Sequence, residues 1–304
     1  MTFKNILVAL DGSKNSQIAA EYGFWLASAL GAKLAGQHVV DPRLVDLFIE
    51  PQFAEELGYQ EFTNSSDKVF NALRKIGNVI LEMFATEAIG RGLRTTVFLD
   101  EGSIVDEILN YAGEFDLLIM GHRGKEQSKL PTQLMLGSVA ERVVVGAPVP
   151  VLVSVQPVHM LSQILVAFDG SEPSRGALLM AEHLAKETES KLKAVTVIPD
   201  ATTKAKIHAK TLIDEGQSLL REKHDEEVFQ IKEGAVAKTI LDYAGFSNSL
   251  LVLGAYGYSD PEENVLGSTT TRVIRQTKTS VLVYKPKLKK AAKQESELLT
   301  RISK

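Results

Sequence analysis

Apolar and polar positions along the chain follow two alternating rhythms. Short runs such as "ILVA" from Ile6, "LLIM" from Leu117 and "LLVL" from Leu250 carry no polar break, as expected of parallel strands covered on both faces. Between them the period lengthens. Ile18, Tyr22, Trp25, Leu26 and Ala29, and again Ala177, Met180, Ala181, Leu184 and Ala185, recur at steps of three and four, the mark of helices that each bury one face. Tyr22 and Trp25 are therefore core residues on this reading. In the second half the strands read Ile164 to Phe168, Leu192 to Ile198, Glu227 to Ile231, Leu250 to Leu253 and Ser280 to Tyr284. Strand alternating with helix predicts a doubly wound α/β sandwich on a five-stranded parallel sheet. Right-handed crossovers then place the ligand crevice at the carboxyl ends of the strands.

The whole pattern occurs twice. "ILVALDGS" from Ile6 returns as "ILVAFDGS" from Ile164, "EILNYAGEFDLLIMG" from Glu107 as "TILDYAGFSNSLLVLG" from Thr239, and "GSVAERVV" from Gly137 as "GSTTTRVI" from Gly267. A unit of this length is a duplicated domain and not a solenoid repeat. The offset falls from 158 to 130 along the chain, which assigns 28 extra residues to the first copy, most of them between Asp41 and Asp67. The expected organisation is one domain over residues 1–157, a second over 158–287, and a polar basic tail over 288–304. The insertion, at about 41–67, is rich in Leu44, Leu47, Phe48, Ile49, Phe53, Leu57, Tyr59 and Phe62, and apolar content outside a sheet needs cover. Packing on its own domain or on a second chain is one reading. A lid over a pocket for an apolar ligand is the other.

Composition narrows the function classes. With 44% apolar residues among 304, the chain has material for two cores. It has no cysteine, which removes disulfides, thiolate catalysis and Cys-based zinc sites and agrees with a reducing compartment, the cytoplasm by default. A net charge of -4 leaves no electrostatic footprint for nucleic acid. Lys285, Lys287, Lys289, Lys290 and Lys293 follow the last strand and read as a solvated tail. No apolar run is long enough to span a bilayer, and the opening "MTFKNILVALDGS" is too short for a signal peptide. A G-x4-G-K-[ST] phosphate loop, a Ser-His-Asp set and closely spaced histidines are all missing from the sequence. Catalytic residues are accordingly none, and metal ligands stay unassigned.

The crevice rule selects the residues after the first and fourth strands. These are Asp11-Gly12-Ser13 and Asp169-Gly170-Ser171, then Gly121-His122-Arg123-Gly124 and Gly254-Ala255-Tyr256-Gly257. An Asp at a strand end serves as a cap for the following helix, and at a crevice it can also accept hydrogen bonds from an adenosine group. Glycines let a loop turn tightly and bring several N–H groups to an anion at a helix N-terminus. His122 sits in the motif, either against ribose or phosphate or satisfied by backbone.

Together these residues resemble the universal stress protein family, whose hallmark is a fourth strand followed by G-x2-G-x9-G-[ST] and an Asp ending the first strand. The second copy meets the spacing in Gly254, Gly257, Gly267 and Ser268. The resemblance covers nearly the whole chain apart from the insertion and the tail. It implies two tandem Rossmann-like domains joined as an intramolecular pseudo-dimer through their last strands, Val149 to Val153 and Ser280 to Tyr284, which removes two exposed sheet edges. It further implies an adenine nucleotide, ATP foremost, with Mg²⁺ only alongside the nucleotide. Asp169 and Val197 would take the adenine end, and Gly254, Gly257, Gly267, Ser268 and Thr269 the ribose and phosphates. Asp11, Val39, Gly121, Gly124, Gly137 and Ser138 form a weaker second site, because twelve residues separate Gly124 from Gly137 where the pattern has nine. Charge runs the other way, with Arg123, Lys125 and Lys129 in the first loop against Asp260, Glu262 and Glu263 in the second. The expected function is that of a cytoplasmic stress-response protein, a homodimeric sensor or regulatory binding module with at most weak ATP hydrolysis. The alternative is an interaction scaffold without nucleotide, or a binder of a small apolar ligand in the first domain.

Overall fold

The computed structural model describes residues 3–47, 59–123, 137–222, 224, 227–256 and 266–286. The first copy runs β1 (Asn5–Ala9), α1 (Lys14–Leu30), β2 (Lys33–Val40), a 3-10 turn (Pro42–Leu47), α2 (Tyr59–Gly90), β3 (Thr95–Glu101), α3 (Ile104–Ala112), β4 (Leu117–Gly121), α4 (Ser138–Gly146) and β5 (Val151–Ser154). After a short 3-10 turn at Val158–Met160, the second copy runs β6 (Gln163–Ala167), α5 (Glu172–Glu187), β7 (Lys191–Ile198) and α6 (Thr203–Leu219). It closes with β8 (Phe229–Glu233), α7 (Val236–Phe246), β9 (Ser249–Gly254), α8 (Ser268–Gln276) and β10 (Val281–Tyr284).

The strands form one ten-stranded sheet in the order β3-β2-β1-β4-β5-β10-β9-β6-β7-β8. Each half is parallel throughout. The two halves meet antiparallel, with Val281 opposite Val153, Leu282 opposite Leu152 and Val283 opposite Val151. The expected pseudo-dimer is thus a continuous sheet, and its inner edges satisfy one another's backbone groups. The first-copy strand starts two residues later than expected because Pro150 has no N–H to give to the ladder.

Helices cover both faces. On β1, Ile6 and Val8 point to the layer that holds α1 and α2, while Leu7 points to the layer of α3 and α4, and all three are fully buried. That is why such strands show no alternation. The predicted α5 stripe of Ala177, Met180, Ala181, Leu184 and Ala185 is buried in full. On α1, Tyr22 and Leu26 are buried while Ile18 and Trp25 are partly covered at the layer's rim.

One expectation about an element needs correction. The strand expected at Glu227 to Ile231 is Phe229–Glu233, which is shifted toward the polar residues Lys232 and Glu233. As an outermost strand, β8 exposes alternate positions to water, so polar side chains do not end it. In the first copy, part of the extra chain is helix, a point the sequence leaves open: α2 has 32 residues where its counterpart α6 has 17. Phe48 and Phe53 lie outside the described residues.

Candidate functional site

The first building block is the turn after β1 and β6. Asp11 Oδ1 accepts from the Ser13 N–H at 2.9 Å, and Asp169 Oδ1 accepts from the Ser171 N–H at 3.0 Å and its hydroxyl at 2.6 Å. The helix cap itself is the serine, contrary to the expectation that the Asp caps. Ser13 Oγ accepts from Ser16 N–H at 3.1 Å and Ser171 Oγ from Ser174 N–H at 3.3 Å. The Asp sits two residues back, where its carboxylate tightens the turn. Between them Gly12 and Gly170 hold φ of 76° and 79°, a conformation that a Cβ disfavours. Ile80 from α2 and Leu212 from α6 lie directly over these glycines, 2.8 and 2.5 Å from where a Cβ would stand.

The second strand of each copy is tied to the end of the first. His38 Nδ1 bonds the Leu10 carbonyl at 2.7 Å, and at the matching position Thr196 Oγ1 donates to the Phe168 carbonyl at 2.9 Å. Val39 and Val197 follow immediately, near the carboxyl ends of β2 and β7.

The glycine loops close on themselves in the same way in both copies. Gly137 N–H donates to the His122 carbonyl and Gly267 N–H to the Ala255 carbonyl, each at 2.9 Å. The first glycine of each loop is also a packing glycine. A Cβ on Gly121 would stand 2.8 Å from backbone and Cβ of Asn15, and one on Gly254 would stand 2.8 Å from Pro173 and Ser174. Strand end and helix start therefore meet closer than any side chain allows. Asn15 Nδ2 secures this approach in the first copy, donating to the Arg123 carbonyl at 3.0 Å, and Thr270 Oγ1 ties α8 to the end of β9, donating to the Gly254 carbonyl at 2.8 Å. Helices α4 and α8 then start at Gly137 and Gly267 with no side-chain cap. Their first N–H groups remain an anion-favouring terminus of the kind phosphates use. Ser138 and Ser268 are exposed on the first turn, and Thr269 is half-buried beside them. Gly124 and Gly257 lie outside the described residues, as do Lys125, Lys129, Asp260, Glu262 and Glu263. Among the described residues no cluster of three or more His, Asp or Glu could hold a metal ion.

His122 takes the second of its two expected roles, bonded to backbone, while Lys285 departs from the one expected for it. His122 is buried and points away from the crevice; its Nε2–H donates to the Ile274 carbonyl of the second copy at 3.2 Å. Burial holds it below the usual imidazole range. Lys285, expected in a solvated tail, is only 4% exposed. Its Nζ donates to the carbonyls of Val145 at 2.6 Å and Ala147 at 2.9 Å, at the carboxyl end of α4 in the other copy. Burial pulls its pKa from 10.5 to about 8. The ammonium lies 6.0 Å over the ring of Tyr256, the residue that follows Ala255 in the second glycine loop. Arg275 of α8 also pairs with Glu141 of α4 across the seam. His122 of the first loop thus touches α8 of the second copy, and Lys285, beside Tyr256 of the second loop, touches the carboxyl end of α4 in the first.

A profile of the universal stress protein family matches residues 2–155 and 160–285. The chain belongs to the universal stress protein family. A universal stress protein of Synechocystis is 26% identical over 291 residues, which is 93% of this chain and all of that protein. One from Thermus aquaticus, a single-domain relative, is 34% identical over 152 residues, covering 49% of this chain and 97% of its own. Among solved structures, a universal stress protein from Archaeoglobus fulgidus superposes with a TM-score of 0.62 at 24% identity, over 94% of this chain and 98% of that one. The tandem, mostly parallel α/β architecture is therefore one that this family uses. None of the described helices of this universal stress protein is long and apolar enough to cross a membrane.

Sequence reasoning missed Thr270, whose hydroxyl ties α8 to the end of β9. Helical phase was the available signal, since Thr270 lies three and four residues before the buried Val273 and Ile274 and so faces inward. It also missed Asn15, for which no sequence signal exists.

Proposed function

We propose that this protein is a cytoplasmic stress-response sensor that binds an adenine nucleotide, ATP foremost, in its second domain. The observation that carries the reading is the uncapped start of α8 at Gly267, drawn against the end of β9 by the Gly267 N–H to Ala255 carbonyl bond of 2.9 Å. The terminus stands beside the carboxyl ends of the adjacent strands β9, β6 and β7, which carry Gly254, Asp169 and Val197. In this assignment Asp169 and Val197 face the adenine end, and Gly254, Gly257, Gly267, Ser268 and Thr269 surround ribose and phosphates. The first domain repeats the frame with Asp11, Val39, Gly121, Gly124, Gly137 and Ser138, but its longer loop makes it the weaker site. Mg²⁺ would enter with the nucleotide, offsetting the carboxylates of the second loop. In this reading the bound nucleotide acts as a signal and is turned over slowly at most.

Calorimetric titration of ATP, with and without Mg²⁺, into wild type and Gly267→Asp tests this. An Asp at that position caps the first N–H groups of α8 with its own carboxylate and repels phosphate. Saturable binding in wild type that disappears in Gly267→Asp is the expected result. An absence of heat in wild type freed of copurified nucleotide overturns the reading.

A further inference from the structure

Helix α2 has two apolar faces, and the described residues of its own domain cover only one. The inner face sets Gly77, Leu81, Phe84 and Ala88 against the sheet and α1, with Phe84 stacked on Phe24 at 5.2 Å between ring centroids. On the outer side Ala72, Ile76, Val79, Met83 and Thr86 follow one another at steps of four, three, four and three. Ile76, Val79 and Met83 are 51%, 54% and 65% exposed. A period of 3.5 over this length is the seam of a helix pair.

The second copy supplies an internal control. Aligning Ile80 with Leu212, the two side chains that cover the turn glycines, places Lys204, His208, Thr211, Glu215 and Ser218 at the seam positions of α6. Every one is polar. The same fold is built there without the stripe, so the fold itself does not require it.

Charge selects the occupant. Lys75 and Glu82, both exposed, flank the seam on one side seven residues apart. Two α2 helices packed antiparallel about a two-fold axis between Gly77 and Asn78 bring Ile76 onto the partner's Val79, Ala72 onto the partner's Met83 and Val69 onto the partner's Thr86. In that register Lys75 meets the partner's Glu82, and Glu82 the partner's Lys75. A parallel pair would instead set Glu82 against the partner's Glu87. We propose that this face docks a second copy of the chain, making a closed dimer through α2 that leaves the crevices, the sheet seam and the nucleotide reading untouched. The apolar layers supply most of the affinity and the rim charges set the register.

Sedimentation equilibrium at micromolar concentration tests the pairing with wild type, K75E, E82K, the charge swap K75E/E82K, and I76E/M83E, all checked for folding by circular dichroism. Wild type is expected to dimerise, each single reversal to weaken the dimer about tenfold by replacing two attractive pairs with repulsive ones, and the swap to recover to within about threefold of wild type. I76E/M83E is expected to be a folded monomer, since both side chains are exposed in the monomer. A monomeric wild type, a dimer that survives I76E/M83E, or a swap no better than the single reversals each overturns the proposal.

Discussion

Lys285 offers a quantitative test of how the two domains are joined. Its amine is buried where the carboxyl end of α4 meets β10, with pKa pulled from 10.5 to about 8 by loss of water. Between those two values the unfolded chain holds a proton that the folded chain has released. Unfolding then takes up that proton, so stability rises with pH across this window, is complete above 10.5, and is lost as the pH falls through about 8. Linkage between pH 7 and pH 9.5 gives a gain of about 2 kcal/mol. The α4 carbonyls favour the ammonium and trim this, leaving roughly 1 to 2 kcal/mol. Lys285→Met keeps the stem's packing and removes the titration. Urea unfolding of both proteins at the two pH values isolates the effect, because every other group is shared. Wild type should gain roughly 1 to 2 kcal/mol on Lys285→Met as the pH rises. Profiles parallel to within about 0.5 kcal/mol would refute the buried, weakly basic amine.

Two further substitutions separate architecture from ligand binding. Gly254→Ala places a Cβ 2.8 Å from Pro173 and Ser174, so it should lower stability by roughly 1 to 3 kcal/mol in thermal melts without any nucleotide; unchanged melting would show that the glycine serves the ligand alone. Glu182 is 4% exposed, and its Oε1 accepts from the N–H groups of Arg221 at 2.7 Å and Glu222 at 3.0 Å, closing the loop after α6. Glu182→Ala should cost roughly 2 to 3 kcal/mol and Glu182→Gln much less, and equal losses in the two variants would show that the charge, not the acceptor oxygen, is what matters.

The fold was largely legible because its signals are local. Unbroken runs such as Leu117 to Met120 and the stripe from Ala177 to Ala185 depend on nearest neighbours and period alone, and both landed in the core. The resemblance to the family, and not the duplication by itself, located the sheet seam, where Val151–Ser154 and Val281–Tyr284 pair. Edge strand β8 was misplaced because water on one face relaxes the pattern that marks an interior strand. The motif glycines were found by spacing, but spacing could not tell that Gly121 and Gly254 are required by the backbone of α1 and α5, which the chain brings up from more than 80 residues away.

Lys285 and His122 mark the boundary most clearly. Period and repetition, which act over a few residues or between two like segments, were enough to establish two α/β domains and most of their strands. Whether a polar side chain ends in water or against a carbonyl of the other domain is a matter of what lies beside it in space. Lys285 and Val145 are 140 positions apart, and His122 and Ile274 are 152. Only the paired sheet brings them together, because burying a polar group is tolerable solely where a partner waits for it. The same holds for α2: its second apolar stripe was written in the chain from the start, but that the described residues leave it uncovered became visible only once the first face had found the sheet.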